Sequence, residues 1–180
     1  MHSSLIHRAS LLRDALVDQG HRIVFAESCT GGWLAASMAT LPGISQCWCG
    51  SMVVYRSASK HEWLGIEARD LNDPLVGPVS ELVTHQLAVL ALQRTPEASI
   101  AVAVTGDIGP GVDAKNDGRV YFALAQRDSS VVSTNYLRLS RPAPVDAMDV
   151  NARVARLEEA SLWIFAETLK CLRASSGVPT

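Results

Sequence analysis

No disulfide framework is written into this chain. Its four cysteines, Cys29, Cys47, Cys49 and Cys171, make neither a C-x-x-C pair nor the dense spacing of a secreted scaffold, so reduced thiols in a cytoplasmic setting are expected. A long basic block is also missing, and the formal net charge is -2, which argues against a nucleic-acid partner. No run approaches the roughly eighteen apolar residues of a membrane span, and the N-terminus lacks a basic segment leading into an apolar core. Neither a membrane helix nor a signal peptide is expected. His2, His7, His21, His61 and His85 show no paired ligand spacing, so no metal site is expected. Internal repeats and low-complexity segments are absent. What is present is the composition of an ordinary globular protein, 48% hydrophobic and 19% charged over 180 residues. Residues 1–180 are read as one domain, long enough to bury roughly two-thirds of the unfolded surface.

Apolar periodicity then sketches the fold. Leu11, Leu12, Ala15 and Leu16 recur at helical spacing and stop at Gly20, which predicts a helix over residues 10–19. HRIVFAE reads as a short strand, GGWLAASMAT as a helical segment ended by Pro42-Gly43, and CWCGSMVVY as a second strand placing Cys47 and Cys49 opposite Trp48. SASKHEWLGI follows as a short helix capped by Ser57 or Ser59, and residues 67–79, with Asn72, Pro74, Gly77 and Pro78, read as a loop. Ser80-Glu81 opens a helix with a wide apolar face. ASIAVAVTG is the most continuous β-branched run, as suits the buried middle of a sheet. GRVYFALA and VVSTNYLRL lie at hairpin distance, and a long helix over about residues 147–172 closes the chain. Alternating strands and helices followed by a hairpin predict an α/β fold, a three-layer α/β/α sandwich around a mixed sheet.

Three segments carry candidate chemistry. Ser57-Ala58-Ser59-Lys60 matches S-x-x-K, but without the companion S-D-N and K-T-G elements of the β-lactamase group that reading is rejected. Lys60 keeps its interest, because an amine in the first turn of a helix is pushed toward its neutral form, against the alternative of an ordinary surface lysine. Ser28, in AESCTGG, stands between a strand and two glycines that open a helix. Either Ser28 or Thr30 simply caps the helix, or the Ser28 hydroxyl stands beside free amides able to hold a phosphate or an oxyanion. TGDIGPG ends the strongest strand, where an α/β sheet places its ligands, yet it is neither a P-loop nor a dinucleotide fingerprint.

AESCTGG, YRSASKHEWLGI, GPVSE and VTGDIGP, in this order, resemble the CinA C-terminal domain family, whose best-known activity is nicotinamide-nucleotide amidase. The likeness spans about residues 5–170, the length of a single-domain amidase. It implies hydrolysis of nicotinamide mononucleotide to nicotinic acid mononucleotide and ammonia, with no cofactor. Carried over by position, Ser28 would be the nucleophile, Lys60 its base and Tyr55 a helper in proton transfer or positioning. Thr30, Gly31, Gly32, Ser45, Thr105, Gly106 and Arg153 would contact the substrate. A homodimer or higher homo-oligomer is implied as well.

The chain departs from the family pattern at Asp107-Ile108, where related amidases read Ile-Ala, and in the shorter segment 111–120. A carboxylate at Asp107 would repel a phosphate if it faced the pocket. Arg153 and Arg156 both fall near the usual basic contact, and sequence does not choose between them. A catalytically silent paralogue that binds a nucleotide or a protein is the alternative, and an esterase or peptidase of the serine-lysine kind is a minor third.

Overall fold

The computed structural model describes residues 3–175, so His2 lies outside the described residues. Five strands form one mixed sheet: β1 (Ile23–Glu27), β2 (Trp48–Val53), β3 (Ile100–Gly106), β4 (Arg119–Gln126) and β5 (Ser133–Arg138). Their order is β2-β1-β3-β4-β5, with the strongest strand at the centre. The pairs β1/β2 and β1/β3 run parallel, and β3/β4 and β4/β5 antiparallel. The helices are α1 (Ser3–Asp18), α2 (Trp33–Ala39), α3 (Ser57–Leu64), α4 (Ala68–Asn72), α5 (Glu81–Arg94) and α6 (Val150–Ser175).

Strand alternation divides the core in two. Ile23 and Phe25 of β1, with Ile100, Val102 and Val104 of β3, face α1, α2 and α6, where Phe25 meets the edge of Phe165. Val24, Ala26, Ala101, Ala103, Ala123 and Ala125 face the other way, onto Ala88 and Ala91 of α5. Small side chains on both sides let that helix lie close to the sheet, whereas the first face is filled by bulkier residues. The predicted three layers are thus present.

Several local expectations are corrected. Helix α1 begins seven residues before the predicted start, because Leu5 and Ala9 continue the buried stripe of Leu12 and Leu16. The predicted loop over 67–79 contains α4, anchored by buried Leu71. Neither serine is the N-cap of α3: Arg56 holds that position, and the Ser59 hydroxyl accepts from its amide at 3.2 Å. Cys47 precedes β2 and packs on the α1 face with Trp48, while Cys49, at a register shift, packs on the other.

Candidate active site

Strand β1 stops where its apolar run stops, and Ser28 follows at once. Its amide continues the sheet ladder to the Val104 carbonyl at 3.1 Å, which pins the residue to the carboxyl edge of the sheet. On the far side of β1, Val54 donates to the Glu27 carbonyl at 2.8 Å, so the chain leaving β2 is held against the same edge before it turns into α3. Lys60 is the fourth residue of α3 and points back into that corner. Its Nζ lies 2.9 Å from Ser28 Oγ, 3.0 Å from the Val54 carbonyl and 3.3 Å from the Tyr55 carbonyl. Ser28 is 5% exposed and Lys60 2% exposed.

Burial lowers the Lys60 amine to about 8, because removal from water disfavours its charged form and no carboxylate contacts it. The Cys29 thiol beside it acts weakly in the opposite sense. Burial pushes that thiol up to about 12, which leaves the serine rather than the cysteine as the activatable group. Two main-chain carbonyls can take the two N–H bonds of a neutral amine while its lone pair meets the serine hydroxyl.

A cavity of about 550 Å³ opens over this pair. Its wall includes Ser28, Cys29, Tyr55, Arg56, Lys60, Asp107, Gly109 and Arg153. Gly106 also lines it, and a Cβ there would fall 2.8 Å from both the Arg119 carbonyl and Cys29 Sγ. Arg153 of α6 donates from Nη2 to the Tyr55 hydroxyl at 2.8 Å and from Nη1 to the Gly109 carbonyl. The Tyr55 side chain therefore engages Arg153 at the rim, and only its backbone carbonyl meets Lys60. Arg156 is committed elsewhere. It grips Asp117 with two bonds of 2.6 and 2.7 Å and the Arg141 carbonyl at 3.0 Å, holding the Asp117 carboxyl below its ordinary range. Of the two arginines, Arg153 is the one on the cavity.

The remaining residues assigned from sequence stand apart from it. Thr105 is buried and bonds to Thr84 Oγ1 at 2.7 Å; because Thr84 donates to the Ser80 carbonyl, Thr105 is the donor of the pair. Ser45 is exposed in the 3-10 turn Ile44–Gln46, just before β2 and thus at the amino end of the sheet. It lies across the sheet from the cavity because the chain crosses over before β2 begins. Asp107 does line the cavity, but Arg119 donates to its carboxylate at 2.7 and 3.1 Å, so the expected repulsion of a phosphate is offset.

The Thr30 hydroxyl and the two glycine amides are committed within the turn, which corrects their reading as substrate contacts. Gly32 takes φ +99° as the N-cap of α2, a conformation that favours glycine. Its amide donates to Glu27 Oε2 at 3.0 Å, as does the Thr30 hydroxyl at 2.8 Å and the Leu34 amide at 3.1 Å; the Ala35 amide donates to Oε1 at 2.9 Å. Gly31 donates to the Ser28 carbonyl and Trp33 to that of Thr30. Sequence reading passed over Glu27 as the last residue of a strand. The available signal was an acid closing an apolar run just ahead of a helix start, where a carboxylate is favoured. Arg56 was likewise missed, since a lone exposed arginine carries no spacing signal.

The family model for the CinA C-terminal domain matches residues 6–159. A CinA-like protein of Mycobacterium sp. (strain JLS) is 42% identical over 136 residues, covering 74% of this chain and 30% of that protein. The chain thus spans under a third of that relative's length. The nicotinamide-nucleotide amidohydrolase PncC of Enterobacter agglomerans is 35% identical over 136 residues, covering 74% of this chain and 81% of that protein. Among solved structures, a CinA superfamily protein of Klebsiella pneumoniae superposes with TM-score 0.81 at 24% identity, over 94% of this chain and 98% of that one. The competence/damage inducible protein CihA of Agrobacterium tumefaciens gives TM-score 0.77 at 28% identity, over 96% and 98%.

Proposed function

Because this chain belongs to the CinA C-terminal domain family, we propose that it hydrolyses the carboxamide of a pyridine mononucleotide, nicotinamide mononucleotide, to the acid and ammonia. The observation that carries this reading is the 2.9 Å contact between Lys60 Nζ and Ser28 Oγ at the floor of a cavity. The 35% identical relative named as a nicotinamide-nucleotide amidohydrolase supports the substrate, and a cavity of about 550 Å³ is of a size that suits a mononucleotide.

Neutral Lys60 removes the Ser28 proton as Oγ attacks the carboxamide carbon. The Cys29 amide follows the nucleophile directly and is not used to hold the start of α2, so it is the donor placed to meet the oxyanion. Collapse of the tetrahedral intermediate breaks the C–N bond, and the Lys60 ammonium returns its proton to the leaving nitrogen, which departs as ammonia. Water, deprotonated by the same amine, then cleaves the serine ester to give the acid and regenerate the hydroxyl. Arg56 and Arg153 supply positive charge at the rim for the phosphate.

Ammonia release from nicotinamide mononucleotide by the purified protein tests the reading. Ser28→Ala is expected to lose at least about 10³-fold in kcat. The altered segment 107–119, part of which lines the cavity, favours the second reading, a silent paralogue, which predicts binding of the nucleotide with no ammonia released at millimolar substrate.

A further inference from the structure

The start of a helix ordinarily presents unpaired amides to whatever anion is near. At α2 that place is already filled from inside the protein. Glu27 is 0% exposed, its side chain lies on the α2 face of β1, and all four of its partners are donors from the following eight residues. A carboxylate accepts at both oxygens, so it matches this set of donors, whereas a carboxamide would turn an NH2 group toward one or more of them. Ser28 and Cys29 lie between this carboxylate and its first donor, and Ser28 is itself pinned by the Val104 carbonyl on one side and Lys60 on the other.

We propose that Glu27 is a positioning residue: its carboxylate ties the Thr30 hydroxyl to the amides of Gly32, Leu34 and Ala35, drawing the turn 28–32 closed so that Ser28 Oγ is held against Lys60. The inference rests on Ser28 being the nucleophile. It makes Glu27 act on the chemical step and not on substrate affinity, because it touches neither the cavity nor its arginines. A cap that served stability alone would lower the folded fraction and leave each folded molecule as fast as before.

The test compares wild type, Glu27→Gln and Glu27→Asp for kcat and KM on nicotinamide mononucleotide, for labelling of Ser28 by a fluorophosphonate, and for unfolding in urea. Glu27→Gln is expected to lower kcat by about 30-fold or more with KM within about threefold, and to slow labelling in parallel, under conditions where urea curves show it folded. Glu27→Asp, which keeps the charge on a shorter arm, should recover part of both rates. Should Glu27→Gln fail to fold, Thr30→Val removes one donor in a buried, near-isosteric way and is expected to lower kcat and labelling about threefold to tenfold at constant KM. Folded Glu27→Gln protein, or Thr30→Val protein in its place, with both rates within twofold of wild type overturns the inference. Wild-type protein inert toward substrate and probe alike overturns the nucleophile assignment, and the inference with it.

Discussion

The turn after β1 and the loop after β3 leave the same edge of the sheet from adjacent parallel strands, and both border the cavity. They are held in different ways. In the first, one buried carboxylate gathers four donors from the next eight residues, and only Ser28 is tied to distant groups, Val104 and Lys60. In the second, the shape comes from distant groups. Asp107 is closed onto Arg119, the Asp107 carbonyl accepts from Gly118, Asp117 is gripped by Arg156, and the Gly109 carbonyl accepts from Arg153. The first turn is closed chiefly by its own carboxylate, whereas the second also draws on Arg153 and Arg156 of α6. On the proposed mechanism, the chemistry, which needs a hydroxyl placed to within tenths of an ångström, falls on the first, and the wall that decides what enters falls on the second.

The largest expected effect tests whether the first turn alone does the chemistry. Lys60→Met is expected to lower ammonia release by about 10³-fold or more. The same change should stabilise the fold by about 1–3 kcal/mol, since a buried amine with its depressed affinity for protons is removed. A variant that loses activity and stability together would break the assignment of Lys60 as a base held at a cost to folding.

Acidity gives the next effect. Below about 8 the Lys60 amine is protonated, so kcat/KM should fall about tenfold per pH unit as pH drops from 8 to 6, and level off above. A flat profile over that range would exclude Lys60 as the base. Stability moves in a separate window. Under about pH 8 folded and unfolded chains both carry the proton and the folded state bears the full burial cost. Between about 8 and the usual 10.5 the folded state has already released it while the unfolded chain has not, so urea stability should rise with pH there.

Local and long-range anchoring can be set against each other by urea unfolding. Glu27→Ala strands two buried and two half-buried donors and should cost about 3 kcal/mol. Arg156→Met strands Asp117, whose side chain is 25% exposed, and should cost less, about 1–2 kcal/mol. The reverse order would remove the distinction drawn between the two regions. Arg153→Met is the mildest: KM for the phosphate-bearing substrate should rise about tenfold, with kcat within about threefold. An equal fall in kcat would move Arg153 from the wall to the chemistry.

Much of this was readable in the chain. The central strand stood out as an unbroken β-branched run because both its faces are covered, and Ser28 could be placed at a strand-to-helix turn by its two glycines. Glu27 was passed over because its four partners include three main-chain amides, which carry no side-chain signature. Thr105 was placed in the pocket because a threonine at a strand end reads the same whether its hydroxyl faces a ligand or Thr84. Ser45 was misplaced because nothing near Pro42-Gly43 says on which end of the sheet the crossover falls.

By itself, the sequence determined the layers, the strand at the centre and the turn that carries Ser28, since each follows from side chains within one or two turns of chain. It took packing of distant elements to bring Lys60 to Ser28 across 32 residues, to turn Arg153 and not Arg156 toward the cavity, and to set Glu27 against the start of the next helix. The physical reason is that a lone charged side chain has the same local pattern wherever it points. Its partner is set by which elements pack together, and that packing is decided by the apolar faces of the sheet and not by the charges themselves.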